Sequence, residues 1–209
     1  MADAIALIDY GAGNLHSVHN ALKAAGAVRI AVTADPMIVR GARRIVLPGV
    51  GSFKACMDGL SAIPGMVEAL EKRVLDDAVP FLGVCVGMQL MATSGLEFGE
   101  TPGLGWIEGQ VERIERTDPA IKIPHMGWND VSPLPHKNGA QLIEPGEAYF
   151  LHSYHLVPDN GHEIAAMTDH GGGLVAAVAR DNLLGVQFHP EKSQAYGIAL
   201  LARFLDWRP

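Results

Sequence analysis

The sequence predicts an α/β domain with a largely parallel central sheet flanked by helices, plus a smaller antiparallel portion in the C-terminal half. Three observations carry that prediction. Up to about Ser94, short apolar runs closed by Gly or Pro alternate with helical patterns, the signature of parallel strands joined by crossover helices. From Gln110 onward the pattern becomes mostly strand-like, with a helix only at the end, which favours antiparallel pairs. The chain has 209 residues, 48% of them hydrophobic, enough for one core. No repeat, low-complexity run or long linker divides it, so residues 1–209 are expected to form a single domain.

The elements follow in order. Ala4 to Asp9 is a buried strand closed by Tyr10-Gly11. Asn14 caps a helix with the apolar stripe Leu15, Val18, Leu22 and Ala25, ending at Gly26. Val28 to Val32 and Ile45 to Leu47 are strands, the latter running into Pro48-Gly49-Val50-Gly51. Ser52 to Leu60 and Gly65 to Ala78 are helical, and Pro80 to Val84 is a strand followed by a helix from Gly87 to Ser94. Gln110 to Arg116 alternates as a half-exposed strand does. Loops are expected to dominate from Asp118 to Pro145, which is rich in Pro, Gly, Asn and His. Tyr149 to Ser153, Ile164 to Thr168, Leu174 to Arg180 and Leu184 to Phe188 read as strands. Gln194 to Trp207 reads as a helix with Ile198, Leu201, Ala202 and Leu205 on one face.

Composition excludes several functions. The formal net charge is −7, and the densest basic group, Arg40, Arg43 and Arg44, reads as a helix cap or strand flank, so nucleic acid is not an expected partner. The first cation is Lys23, which argues against a secretory signal. The most apolar stretch, Ala78 to Ala92, is short for a bilayer, holds Gln89 and is broken by Gly83 and Gly87, so no membrane partner is expected. Cys56 and Cys85 do not make a disulfide framework, and a cytoplasmic location follows as the default.

Gly83-Val84-Cys85-Val86-Gly87 is the most informative stretch. Bracketing glycines allow a sharp strand-to-helix turn that exposes the central side chain. A helix starting after Cys85 would aim amides and a positive dipole at the sulfur, favouring thiolate, and the Val86 amide would face an oxyanion. Alone, the motif fits a buried structural cysteine equally well. Cys56 lacks the bracket and reads as structural.

The complement lies at the far end, in Val186-Gln187-Phe188-His189-Pro190-Glu191. Pro190 holds His189 extended, and residues two apart then share a side, about 6–7 Å apart at the backbone. Glu191 can fix the tautomer of His189 and stabilise its imidazolium, leaving the other nitrogen for Cys85. By itself His-Pro-Glu is an ordinary turn; with the elbow it reads as a base and its orienter. His16 and His19 belong on a helix surface, and His136, His162 and His170 in polar loops. No metal-ligand spacing is present, and no metal or cofactor is expected. Pro48-Gly49-Val50-Gly51 follows a strand and precedes a helix, so the amides of Val50 and Gly51 are candidate oxyanion donors beside Val86, although a plain turn fits as well. Gly11-Ala12-Gly13 lacks the third glycine of a dinucleotide loop, since position 16 is His16.

Taken together, the cysteine elbow, Gly87-Met88-Gln89 and Gly185 to Glu191 resemble the class I (triad) glutamine amidotransferases. The likeness is closer still to the family of glutaminase subunits of imidazole glycerol phosphate synthase. It rests on Ile8-Asp9-Tyr10-Gly11-Ala12-Gly13-Asn14, Leu47-Pro48-Gly49-Val50-Gly51-Ser52-Phe53, Pro124-His125-Met126-Gly127-Trp128-Asn129 and His189-Pro190-Glu191-Lys192-Ser193, spread nearly end to end. The elbow usually carries Leu where this chain has Val86; the backbone amide is the working group, so the change matters little. The resemblance implies that Cys85, His189 and Glu191 hydrolyse glutamine through a thioester. Ammonia would pass to a (β/α)8 cyclase subunit that makes imidazole glycerol phosphate in histidine biosynthesis. It further implies a glutamine pocket of Gly51, Gln89, Glu97, His152, Ser153 and Tyr154, with Glu97 suited to the substrate ammonium. Asn14, Pro124, Met126, Trp128 and Lys192 are implied as partner-facing positions. Glu97 as a solvated charge and Trp128 as a core aromatic remain open readings of the same residues.

Three other functions fit parts of the pattern: a triad amidotransferase subunit serving another acceptor, a non-catalytic partner-binding relative, and a cysteine peptidase. The intact Cys85, His189 and Glu191 argue against the second, and Gln89 with Glu97 against the third. The resemblance also implies weak glutamine hydrolysis by the isolated chain.

Overall fold

Buried backbone must find hydrogen-bond partners, and apolar runs too short to cross the molecule as helices find them side by side. The computed structural model describes residues 4–116, 118–134 and 140–209; His136 lies outside the described residues. The first half comprises β1 (Ala4–Ile8), α1 (Leu15–Ala24), β2 (Arg29–Thr33), α2 (Pro36–Gly41), β3 (Arg44–Gly49), α3 (Phe53–Ser61), α4 (Met66–Glu71) and β4 (Phe81–Cys85). The short helix α5 (Val86–Gln89) leads to β5 (Ala92–Gly95), β6 (Thr101–Pro102), β7 (Ile107–Arg113), β8 (His125–Pro133), β9 (Gly146–His152) and β10 (Tyr154–Pro158). Then come β11 (Ile164–Asp169), β12 (Gly173–Arg180), β13 (Leu183–Val186) and α6 (Gln194–Asp206).

Nine strands form one sheet in the order β2-β1-β3-β4-β13-β12-β11-β8-β9. Neighbours from β2 to β13 run parallel, and those from β13 to β9 antiparallel. A second sheet, β10-β7-β5-β6, has four strands. The predicted architecture is present, with the antiparallel portion larger than expected because β8 and the second sheet add to it.

Helix starts follow side-chain chemistry. Asn14 accepts a hydrogen bond from the Ser17 amide at α1, and Ser52 one from the Ala55 amide at α3. Sequence reading passed over α2, although Asp35 caps it and Pro36 opens it. The helix expected from Gly65 to Ala78 is α4 followed by a π-helical turn over Lys72–Asp76. The helix expected from Gly87 to Ser94 stops at Gln89, and β5 occupies the rest. Leu90, Met91 and Ala92 are all fully buried, so their apolar run carries no period to separate helix from strand. The loop expected from Asp118 to Pro145 contains β8, nine residues long. Its inward positions include His125 and Asn129, so the alternation is not one of apolar with polar. On α6 the buried face is Gly197, Leu200, Leu201 and Phe204, rotated from the predicted stripe, with Ile198 and Leu205 at its margin.

Arg44 opens β3 and, though buried, caps a helix as one of its two expected readings had it. Its Nε donates to the Phe204 carbonyl at 3.2 Å and its Nη2 to the Trp207 carbonyl at 2.8 Å, closing the C-terminus of α6 with a charge that suits the helix dipole. Among the described residues no helix is long and apolar enough to cross a membrane. Arg44→Met is expected to cost about 2 kcal/mol by freeing those carbonyls; urea denaturation reads it, and an unchanged midpoint would count against the clamp.

Candidate active site

Strand β4 passes into α5 through Cys85 without an intervening loop. Cys85 sits at φ 54°, ψ −112°, a conformation that costs a side-chain-bearing residue about 1–3 kcal/mol. The glycines make this turn feasible by letting backbone meet backbone. A β-carbon on Gly83 would lie 2.6 Å from the Gly87 carbonyl oxygen, and one on Gly49 would lie 2.6 Å from the Gly87 nitrogen. One on Gly87 would run into the Leu47 carbonyl oxygen. The elbow is therefore wedged against the end of β3 as well as β4.

His189 arrives beside it because β13 pairs with β4 in parallel, Val186 opposite Val84, so both strands end at one rim. His189 is extended, at φ −101°, ψ 99°, ahead of a 3-10 turn over Pro190–Lys192. Its amide donates to the Tyr149 carbonyl at 2.9 Å, and its carbonyl accepts from Ser193 Oγ at 2.6 Å. Nδ1 of His189 donates to Glu191 Oε1 at 2.9 Å, both side chains being almost fully buried. That bond leaves Nε2 for Cys85, which lines the same cavity. Burial opposes charge on the ring, but hydrogen bonds and charge from Cys85 and Glu191 outweigh it and push the His189 pKa up to about 9.

A cavity of about 300 Å³ opens over these groups. Gly51, Gln89, Glu97, His152, Ser153 and Tyr154 all line it, as do Val50, Val86 and Leu151. Glu97 is half-buried, not a solvated charge: its Oε2 accepts from the Phe53 amide at 2.8 Å. The loop after β3 is tethered by its carbonyls, Pro48 to the Tyr10 hydroxyl at 2.6 Å and Val50 to Cys56 Sγ at 3.3 Å. Cys56 is thus a buried tether, and burial raises its pKa.

The positions implied as partner-facing divide. Pro124 and Lys192 reach the cavity mouth. Met126 and Trp128 share the outer side of β8, 60% and 47% exposed, so Trp128 is not a core aromatic. Trp128 meets Tyr149 edge-on, and the Lys192 ammonium lies over the same Tyr149 ring at 5.6 Å. Asn14 caps α1, which packs on the turn that carries Lys192, and it does not line the cavity.

Gln187 was not singled out in the sequence, yet it is fully buried beside the cysteine, its Nε2 3.7 Å from Cys85 Sγ. The signal was there: Gln187 is two residues before His189, hence on the same side, and is a polar interruption in an apolar run. Gly87→Ala is expected to destabilise the fold by about 3 kcal/mol, as overpacking does, and to displace Cys85. Thermal melts combined with alkylation of Cys85 test this; wild-type values for both would contradict the wedge.

Residues 6–206 match the family profile of Glutamine amidotransferase class-I. The imidazole glycerol phosphate synthase subunit HisH of Zymomonas mobilis is 57% identical over 207 residues, covering 98% of this chain and 96% of that protein. The subunit of the same name from Caulobacter vibrioides is 54% identical, covering 98% of this chain and 99% of that protein. A solved glutamine amidotransferase superposes with a TM-score of 0.74 at 19% identity, covering 96% of this chain and 97% of that one. The glutaminase domain of Trypanosoma brucei CTPS superposes with a TM-score of 0.65 at 20% identity, covering 97% and 93%. Those two likenesses speak for the fold, and the profile and the close relatives for the lineage: the chain belongs to the class-I glutamine amidotransferase family, among the HisH subunits.

Proposed function

We propose that this chain, as one domain over residues 1–209, is the cytoplasmic glutaminase subunit of imidazole glycerol phosphate synthase, working with a (β/α)8 cyclase partner in histidine biosynthesis. The observation that carries the reading is the meeting of Cys85, His189 and Glu191 at one rim, under a cavity lined by polar groups. The names of the close relatives support the acceptor and the pathway.

The chemistry follows from the geometry. Glutamine enters with its ammonium toward Glu97 and its side chain toward Cys85, steadied by Gln89, His152, Ser153 and Tyr154. Cys85 Sγ, its proton held by His189, forms a bond to the amide carbon, and the carbonyl oxygen takes up negative charge facing the amides of Val86 and of the Val50-Gly51 loop. His189 delivers its Nε2 proton to the amide nitrogen; the C–N bond breaks and ammonia leaves. Water then adds to the thioester, its proton passes to His189, the C–S bond breaks and glutamate departs. Glu191 holds the ring in one tautomer and stabilises its charge throughout. Ammonia passes on to the cyclase, which docks on the face of this chain that includes Met126, Trp128, Pro124, Lys192 and Asn14.

Cys85→Ala is expected to abolish glutamate release while leaving cyclase binding intact. Co-purification followed by a glutaminase assay, with and without the cyclase and its ligand, tests the whole reading. Stimulation by the partner is expected; equal rates would count against coupling, and turnover by the Ala variant against the nucleophile. His189 keeps its proton below its raised pKa and loses it as pH climbs through about 9, so the rate in the complex is expected to fall across that range. Glu191→Gln removes one group that raises the pKa and moves the fall to lower pH. A profile flat through that window would contradict the assignment of His189 as the acid.

A further inference from the structure

The carbonyl oxygen of Tyr154 can only accept hydrogen bonds, and two polar side chains reach it. Gln89 Nε2 lies 2.9 Å from it and 3.0 Å from Gln187 Oε1. The acceptor therefore fixes which end of the Gln89 amide is nitrogen, and its second N–H falls on the Gln187 oxygen. Gln187 is left with its own nitrogen toward Cys85 Sγ, at 3.7 Å.

The second arm starts on β8 and reaches the same carbonyl through His152 at the end of β9. His152 Nδ1 is 2.9 Å from Tyr154 O, so it must carry a proton. His152 Nε2 is then an acceptor and takes the Nδ1 proton of His125 across 3.0 Å, the two being cross-strand partners. His125 Nε2 in turn accepts from Asn129 Nδ2 at 3.0 Å. The far end is independently fixed. Asn129 Nδ2 also donates to the Asp169 carbonyl at 2.7 Å, and its Oδ1 accepts from the Asp130 amide. Both termini demand the same direction, so every proton in the chain has one place to be. Burial keeps both rings neutral at pH 7, holding His152 near 3 and, with the charge of His170, His125 near 4.

We propose that Gln187 is a positioning residue for the Cys85 sulfur, held donor-first by Gln89 and the Tyr154 carbonyl, which the His152–His125–Asn129 arm anchors from the opposite side. An N–H fixed on sulfur stabilises negative charge there and orients its lone pairs before substrate arrives. The inference rests on the reading of Cys85 as nucleophile, and it adds a donor that neither the triad nor the oxyanion loop supplies.

Long-range 1H–15N correlation spectra of the unaltered chain at pH 7 are expected to show His125 and His152 both protonated at Nδ1 alone. An Nε2–H tautomer in either overturns the chain of bonds. Asn129→Asp puts an acceptor against His125 Nε2 and is expected to move that ring's proton; an unmoved proton also overturns it. Gln187→Met is expected to slow alkylation of Cys85 by iodoacetamide about tenfold, followed by peptide mass apart from Cys56. Gln187→Glu, with an acceptor in the donor's place, is expected to slow it further. Wild-type alkylation rates in either folded variant refute the role of Gln187, and an Nε2–H tautomer refutes its anchoring whatever those variants do. None of these readouts uses glutamine, so failure of this inference and failure of the functional reading are told apart.

Discussion

Parallel pairing of β4 with β13 is the constraint on which the rest depends. One strand delivers the sulfur and the other the imidazole, and their register places both at the same rim of the sheet. The sequence distance between them is spanned by β5 to β12, which return the chain to the neighbour of β4. Hydrogen bonds between the two strands thus serve both as core structure and as the ruler that spaces sulfur and imidazole. The elbow adds strain to that frame, and the frame is over-determined enough to hold it: three glycines allow β3, β4 and α5 to touch through backbone alone.

Electrostatics divide the site into two kinds of histidine. His189 is buried with Glu191 and beside Cys85, and the paired partners more than repay the cost of desolvating its charge. His125 and His152 are buried with carbonyls, amides and each other; desolvation outweighs the one opposing contact, the Tyr154 carbonyl on His152, so they stay neutral. The same residue type therefore favours its charged form beside Cys85 and its neutral form in the His125–His152 pair.

Much of this was legible in the residues. Glycine spacing announced the elbow, Pro190 announced the extended His189, and the interval of two announced the bond to Glu191. What escaped did so for physical reasons. The interior side of β8 is built from His125 and Asn129, polar groups satisfied by one another, so its alternation does not look like burial. Leu90 to Ala92 is apolar on every side, so a strand after a short helix reads as a longer helix. Gln187 stands in a motif whose neighbours draw the eye, and only the bonds it makes, formed in three dimensions, reveal why a buried amide is tolerated there.

The cavity is walled by both sheets. Cys85 ends β4 of the nine-stranded one and His189 follows its β13, while the chain crosses to the four-stranded one at Ser153, between β9 and β10. A tilt of the smaller sheet would alter the bore of the chamber while sulfur and imidazole, bolted to the larger, kept their spacing. The Tyr154 carbonyl, at the start of β10, would carry such a tilt back toward the sulfur by way of Gln89 and Gln187.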